Sequence, residues 1–453
     1  MCKPTETVSL YAMLWRSLHD LSPLPDITFT APGALPSCYA VSDLAAASLG
    51  LVAGTLRSLI DSASLPVVDR RLASLWFAMS LCPLNRPAPA LWDPFAGDYA
   101  TQDGWIRLHT NAAHHRRAME SVLGKPLNRE ALSVTVKGWQ SATLEEAIAE
   151  AGGCAAAMRS EDEWRTHPQG LAVAREPLFL QQTTGLAPAP GWPLPAARPL
   201  LGIRVLDLTR IIAGPVATRL LAGLGAQVLR IDPPDWAEPT LEEEITPGKR
   251  CARLDLKSDA GKAQLRELLA KADVVVHGYR ADALAALGFD EETRSALAPG
   301  LVDVSLNAWG WSGPWRNRRG FDSLVQMACG IAHAGMLWRG GDKPTPLPVQ
   351  ALDHATGYLM AAAVLKGLYH RLHHQQGYQA RLSLARTAAL LMAFPQPTQE
   401  AFAPRSRHDE MPYYEWSSFG LGARLKPPLW LSGTPLAWAR APSPCGSDKA
   451  RWE

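Results

Sequence analysis

The sequence predicts an α/β fold, a doubly wound parallel sheet accompanied by a smaller α+β unit. Three observations predict it. After residue 200, short apolar runs alternate with stretches of helical periodicity, which is how buried parallel strands and their crossover helices read. A proline-rich stretch sets this region apart from what precedes it, and the earlier region mixes several helical patterns with a single short strand pattern.

Taken in order, residues 1–94 read as helical to about Leu81. Residues 95–185 hold a strand over Trp105–His109 and helices near His114–Leu123 and Leu144–Ala151, a small α+β unit. Residues 186–200 include LAPAPGWPLPAARP, with five prolines and no charge before Arg198, the composition of an extended linker. Residues 201–395 open with a strand over Gly202–Leu208. A Gly214-Pro215 turn then starts a helix to about Leu224, and Ala226–Ile231 forms a second strand. A helix over Ala260–Lys271, a strand over Asp273–Val276, a helix over Ala281–Leu287 and a strand over Leu301–Leu306 repeat the alternation. Such a sheet binds its ligand at the carboxyl ends of its strands. Residues 396–453 read as irregular.

Composition bounds the function. With 47% hydrophobic and 19% charged residues this is an ordinary folding chain. The 45 Lys+Arg nearly cancel the 43 Asp+Glu, so no global field favours nucleic acid or an anionic membrane, and neither is expected as a partner. Any anionic ligand needs a local site. Seven scattered cysteines (2, 38, 82, 154, 251, 329 and 445) form no C-x-x-C pair and read as reduced thiols. The start of the chain lacks a secretory pattern, and the apolar run Ala355–Leu365 is too short to span a bilayer. A cytoplasmic protein is expected.

An ungapped offset of 310 residues places Asp43 on Asp353, Ala45 on Ala355, Leu49 on Leu359, Ala53 on Ala363, Arg71 on Arg381, Leu72 on Leu382 and Ala78 on Ala388. The first segment therefore reads as a partial repeat of residues 345–395. A nicotinamide-binding reading, with Asp232 as the ribose acid, fails because the first turn, TRIIAGP, contains no G-x-G-x-x-G.

The stretch GIRVLDLTRIIAGPVATRLLAGLGAQVLRIDPP resembles the opening of the family III CoA-transferases, the group of formyl-CoA and carnitine CoA-transferases that also includes α-methylacyl-CoA racemases. The resemblance continues in order. Lys249-Arg250 with LDLK at 254–257, ADVVVHGYRADALAALG at 272–288, SLNAWGWSGP at 305–314, Gly320-Phe321-Asp322 with Gln326, QALD at 350–353 and Gly377-Tyr378-Gln379 all match family segments. The small unit, with its Asp103-Gly104-Trp105 strand entry, resembles the family's small domain. Here it precedes the Rossmann-like half instead of following it, as a duplicated or permuted ancestor would leave it: the first copy without its sheet, the second without its small domain.

The resemblance implies transfer of CoA from an acyl-CoA to a carboxylic acid acceptor, with Asp353 as nucleophile. On residues alone, an Asp before an alanine-rich helix also reads as an N-cap. For CoA, the resemblance implies Arg210, Ile211 and Ala213 in the first turn, Leu254 and Lys257, and Gly278, Tyr279 and Leu287. Gly278 stands where the family often has asparagine, and Ala286 where it often has arginine. Coenzyme A enters as substrate; no permanent cofactor and no metal is expected. Racemases of the group carry a histidine where this chain has Phe321, which disfavours racemisation. A non-catalytic CoA-binding homologue is the remaining alternative. Asp43 reads as a structural cap, and His370, His373 and His374 as a solvated helix end. The Asp353 cleft is expected between the two units. A homodimer that is not interlocked is expected, through the apolar faces at Leu49, Ala53, Leu359 and Ala363.

Overall fold

The structure is a computed structural model that describes residues 6–396 and 399–453; Cys2 and the other N-terminal residues through position 5 lie outside them. The apolar runs become strands: β1 (Leu180–Leu186), β2 (Arg204–Leu208), β3 (Gln227–Asp232), β4 (Lys249–Arg253), β5 (Val274–His277), β6 (Val302–Asn307) and β7 (Gln376–Ser383). They form one sheet in the order β4-β3-β2-β5-β6-β7-β1. All neighbours are parallel except β1, which runs antiparallel to β7. Without β1 this is the doubly wound order 3-2-1-4-5-6, which places its switch point between β2 and β5. Val274 and Val205 pair across that point.

Seven helices build the core and the surroundings of the site: α1 (Glu6–His19), α2 (Val41–Leu59), α3 (Arg70–Trp76), α4 (Ala213–Gly223), α5 (Asp322–Ala328), α6 (Ala351–His373) and α7 (Leu384–Met392). α6 is the centre of the molecule. Every residue from Ala351 to Leu365 is buried, the mark of a helix covered on all sides. It packs on α2, α4, β6, β7 and α7. None of the helices of the described residues is long and apolar enough to cross a membrane.

The small unit pairs Gly97–Ala100, Trp105–Leu108 and Ala155–Ala157 in an antiparallel sheet, with helices Ala113–Leu123 and Ser141–Glu150 beside it. It docks on α5, where the Arg159 N–H donates to Met327 O at 3.0 Å, and Arg318 Nη2 reaches Glu145 O at 2.9 Å.

Several expectations change. β1 falls across the boundary drawn at residue 186 and belongs to the large sheet. The proline-rich stretch is pinned: Arg371 Nη1 donates to Ala187 O at 3.2 Å, and Trp192 and Leu194 pack against the core. The "irregular" end holds strands Glu415–Ser417, Gly420–Arg424 and Leu429–Trp430, too short to show a period in sequence. The first segment is not sheetless, since Thr28–Thr30 and Val67–Asp69 pair in parallel and Leu429–Trp430 joins antiparallel. Leu49, Ala53, Leu359 and Ala363 are at most 1% exposed, so the faces expected to form a dimer are spent inside the chain.

Candidate active site

The N-terminal turn of α6 carries Asp353. The cap position is Gln350, with no side-chain cap bond, which corrects the N-cap reading of Asp353: the aspartate is the third residue of the helix. Its N–H donates to Asp322 Oδ2 at 2.9 Å. Asp353 is 6% exposed, and its carboxylate accepts no hydrogen bond from the described residues. Burial, and then the adjacent Asp322 carboxylate, hold the Asp353 carboxyl well above the ordinary range.

Asp322 begins α5 and is fully buried. Burial pushes its carboxyl up to about 6, against the hydrogen bonds it accepts from the Asp353 N–H and from Gln326. Gln326 Nε2 lies 2.5 Å from Asp322 Oδ1, and Gln326 Oε1 accepts from the Leu347 N–H at 2.7 Å. The two carboxyls titrate as a pair. Asp322 has donors that stabilise its anion and Asp353 has none, so the shared proton rests on Asp353. Sequence reasoning gave Asp322 no role, although it lies in the family-like Gly320-Phe321-Asp322 segment with Gln326 four residues on, a spacing that faces the two side chains together on a helix.

The turn after β2 sits beside this helix. A Cβ on Gly357 would stand 2.4 Å from Ala213 O, so only glycine lets the turn approach α6, and Gly357 lies one helical turn below Asp353. Ile211 adopts φ +69°, costly for a β-branched residue, and its N–H is held by Glu238 Oε1 at 2.8 Å. Arg210 Nη2 donates to the Tyr279 hydroxyl at 3.2 Å, and its guanidinium lies 5.0 Å from the Trp236 ring. Arg210 and Tyr279 thus meet across the switch point. Leu254, Tyr279 and Leu287 pack against one apolar cluster at this edge. Gly278 is exposed, and a Cβ there would make only an ordinary 3.5 Å contact with Leu306. Lys257 is exposed and makes no ion pair among the described residues.

Two further cations border this edge. Arg319 makes no ion pair among the described residues, and Arg280 reaches only Asn317 O, at 3.5 Å. Burial, then Arg319, lower the Arg280 pKa. Burial, then Arg319, also lower that of His114 on the small unit.

Other residues separate from the site. Asp232, fully buried, is held by Arg230 at 2.8 and 3.0 Å and is not free for a ribose. Asp43 is not a cap either: it takes both Arg70 Nε at 2.9 Å and Nη2 at 3.0 Å, plus the Thr7 hydroxyl. His370 stacks on Tyr378 with centroids 5.6 Å apart, so this end of α6 is only partly solvated. No cluster of three or more His, Cys, Asp or Glu able to hold a metal occurs among the described residues. Phe321 stacks on His109 of the small unit at 3.9 Å and 4°, and His115 meets its edge at 5.6 Å.

Residues 200–416 match the model of CoA-transferase family III. That segment belongs to the family. An acyl-CoA transferase of Gibberella moniliformis is 31% identical over 312 residues, 63% of this chain and 54% of the relative. The succinyl-CoA:glutarate CoA-transferase of Mus musculus is 32% identical over 193 residues, 40% of this chain and 44% of the relative. A crystal structure of a Mycobacterium tuberculosis protein aligns at 31% identity and TM-score 0.40, over 44% of this chain and 58% of its own. The chain spans about half the length of the curated relatives it matches.

Proposed function

We propose that this protein moves CoA from an acyl-CoA to a carboxylic acid through covalent intermediates on Asp353. The observation that carries the reading is the buried, hydrogen-bond-free Asp353 carboxyl, one helical turn above the Ala213 contact of the family-type CoA turn. A carboxylate stripped of donors is a reactive nucleophile. Once deprotonated, an Asp353 oxygen attacks the thioester carbonyl and CoA leaves as thiolate, giving a mixed anhydride. The thiolate then attacks the Asp353 carbonyl and releases the donor acid, leaving an aspartyl thioester. The acceptor carboxylate attacks that thioester and frees the thiolate again. Attack of the thiolate on the acceptor's carbonyl gives the new acyl-CoA and returns Asp353. Each step exchanges one acyl bond for another, so no redox partner is needed.

Arg210, Lys257, Arg280 and Arg319 supply the positive charge a CoA phosphate requires at this edge, while Leu254, Tyr279 and Leu287 offer apolar surface to the rest of the coenzyme. Racemisation needs a second base across the α-carbon. Phe321 is none, and burial lowers His109 behind it to about 3, too weak a base for that step.

Incubation with a panel of acyl-CoAs, followed by peptide mass spectrometry and a chase with carboxylic acids, tests the reading. CoA-dependent modification of Asp353 that a carboxylic acid discharges is the expected result; binding without any adduct would favour a non-catalytic CoA-binding protein.

A further inference from the structure

The internal repeat is tighter in three dimensions than in sequence. α2 and α6 each start after a residue of nearly the same conformation, Ala40 at φ −74°, ψ 60° and Gln350 at φ −75°, ψ 64°. Each carries its aspartate as third residue. Each ends on a residue near the bridge region, Ile60 at φ −101°, ψ 8° and His374 at φ −115°, ψ −3°, followed by a non-glycine residue of positive φ, Asp61 at +48° and Gln375 at +54°.

α6 is 23 residues long and α2 is 19, so the second copy has one extra helical turn. The offset therefore passes from 310 to 314 along the helix, and the ungapped pairs beyond it are wrong. Arg71 and Leu72 lie on α3, whereas Arg381 and Leu382 lie on β7, and Ala78 lies past α3 while Ala388 lies within α7. The corrected offset places Asp69 on Ser383, and each caps the following helix, accepting from the N–H three residues on.

Both copies then continue alike. Thr28–Thr30, α2 and Val67–Asp69 form a parallel β-α-β unit, as β6, α6 and β7 do. Each unit receives an antiparallel third strand from the other half of the chain: Leu429–Trp430 for the first, β1 for the second. α2 and α6 pack against each other. Two equivalent units, face to face and exchanging edge strands, have the layout of a two-fold dimer, here within one chain.

We infer that residues 6–83 are a folded-in second copy that occupies the place of a partner subunit, so that the protein works as a monomer with one reactive carboxylate. The copies differ where chemistry would need them alike. Asp43 is neutralised by the two-point contact of Arg70, whereas the position matching Arg70 holds Leu384 at the corrected offset and Ala380 at the uncorrected one. Asp353 is left without a cation; Asp43 is silenced. The part of the inference that concerns Asp353 rests on the proposed transfer; the part that concerns assembly does not.

Light scattering on the full chain over a wide concentration series, with and without an acyl-CoA, decides the assembly. The mass of one chain throughout is the expected result, and a dimer in solution would overturn the inference whether or not the protein transfers CoA. Adduct mapping decides the silencing. Modification at Asp353 alone, retained when Asp43→Asn and Arg70→Met are combined, supports it. Modification at Asp43 in the wild type, or loss of transfer in a double variant whose circular dichroism is unchanged, overturns it. If no acyl-CoA labels any residue, the transfer reading fails while the scattering result still stands.

Discussion

Asp353 and Asp43 occupy the same place on equivalent helices, α6 and α2, and differ in company, so their chemistry is decided by neighbours rather than by type. Replacing Asp322 by Asn removes the like charge beside Asp353 while leaving an oxygen to accept its N–H. The Asp353 pKa should fall, and the acidic limb of the transfer rate against pH should move to lower pH by about one unit or more. An unmoved limb contradicts the coupling. Stability follows the same groups. A carboxyl whose folded pKa lies above its unfolded value binds more protons when folded, so stability drops as pH rises from about 3.9 through the Asp322 value of about 6. Asp353→Asn removes part of that loss, and urea unfolding at neutral pH should show the variant more stable by about 1–3 kcal/mol, an advantage that shrinks in acid. Asp353 stood out as a candidate nucleophile because its surroundings in the chain resemble a known family. Its coupling to Asp322 was not, because nothing in sequence shows that a carboxylate 31 residues away accepts its N–H.

At the scale of elements, the alternation of apolar runs and helices was enough to read β2, β3, β5 and β6, each within a few residues, because buried parallel strands need continuous apolar sequence. What escaped were β4, the polar strands β1 (LQQTTGL) and β7 (QGYQARLS), and strands of two to five residues elsewhere, whose pairing is imposed by neighbours rather than by their own pattern. The repeat was half legible: an ungapped comparison detects the first turns of α2 and α6, and one inserted helical turn hides the rest. The contact of the turn after β2 with α6 is equally invisible in sequence, since Gly357 looks like any glycine in an alanine-rich helix. Gly357→Ala would push a methyl against Ala213 O and Val216. The expected outcome is a destabilisation of about 1–3 kcal/mol, as for overpacked cores, together with a larger rise in KM for acyl-CoA than fall in kcat. A KM unchanged within error would separate the turn from CoA binding.

For the whole molecule, the order of parts matters less than their meeting place. The small unit precedes the large sheet in the chain yet docks on α5, the helix that carries Asp322, so a unit some two hundred residues upstream of Asp353 borders the candidate site. Gly330, at φ +99°, lies where a Cβ would stand 2.5 Å from the Glu161 backbone of that neighbouring segment. Gly330→Ala should loosen this junction, seen as faster proteolysis near residues 158–161 and slower turnover with the large sheet still folded; unchanged proteolysis and turnover would show that the junction does not govern closure. The central claim, that Asp353 is the nucleophile, is tested most directly by the transfer rate of Asp353→Ala, measured on protein whose circular dichroism matches the wild type. Asp353 caps nothing, so the fold should survive while transfer and the CoA-dependent adduct both vanish; near-normal transfer by this variant would contradict the account.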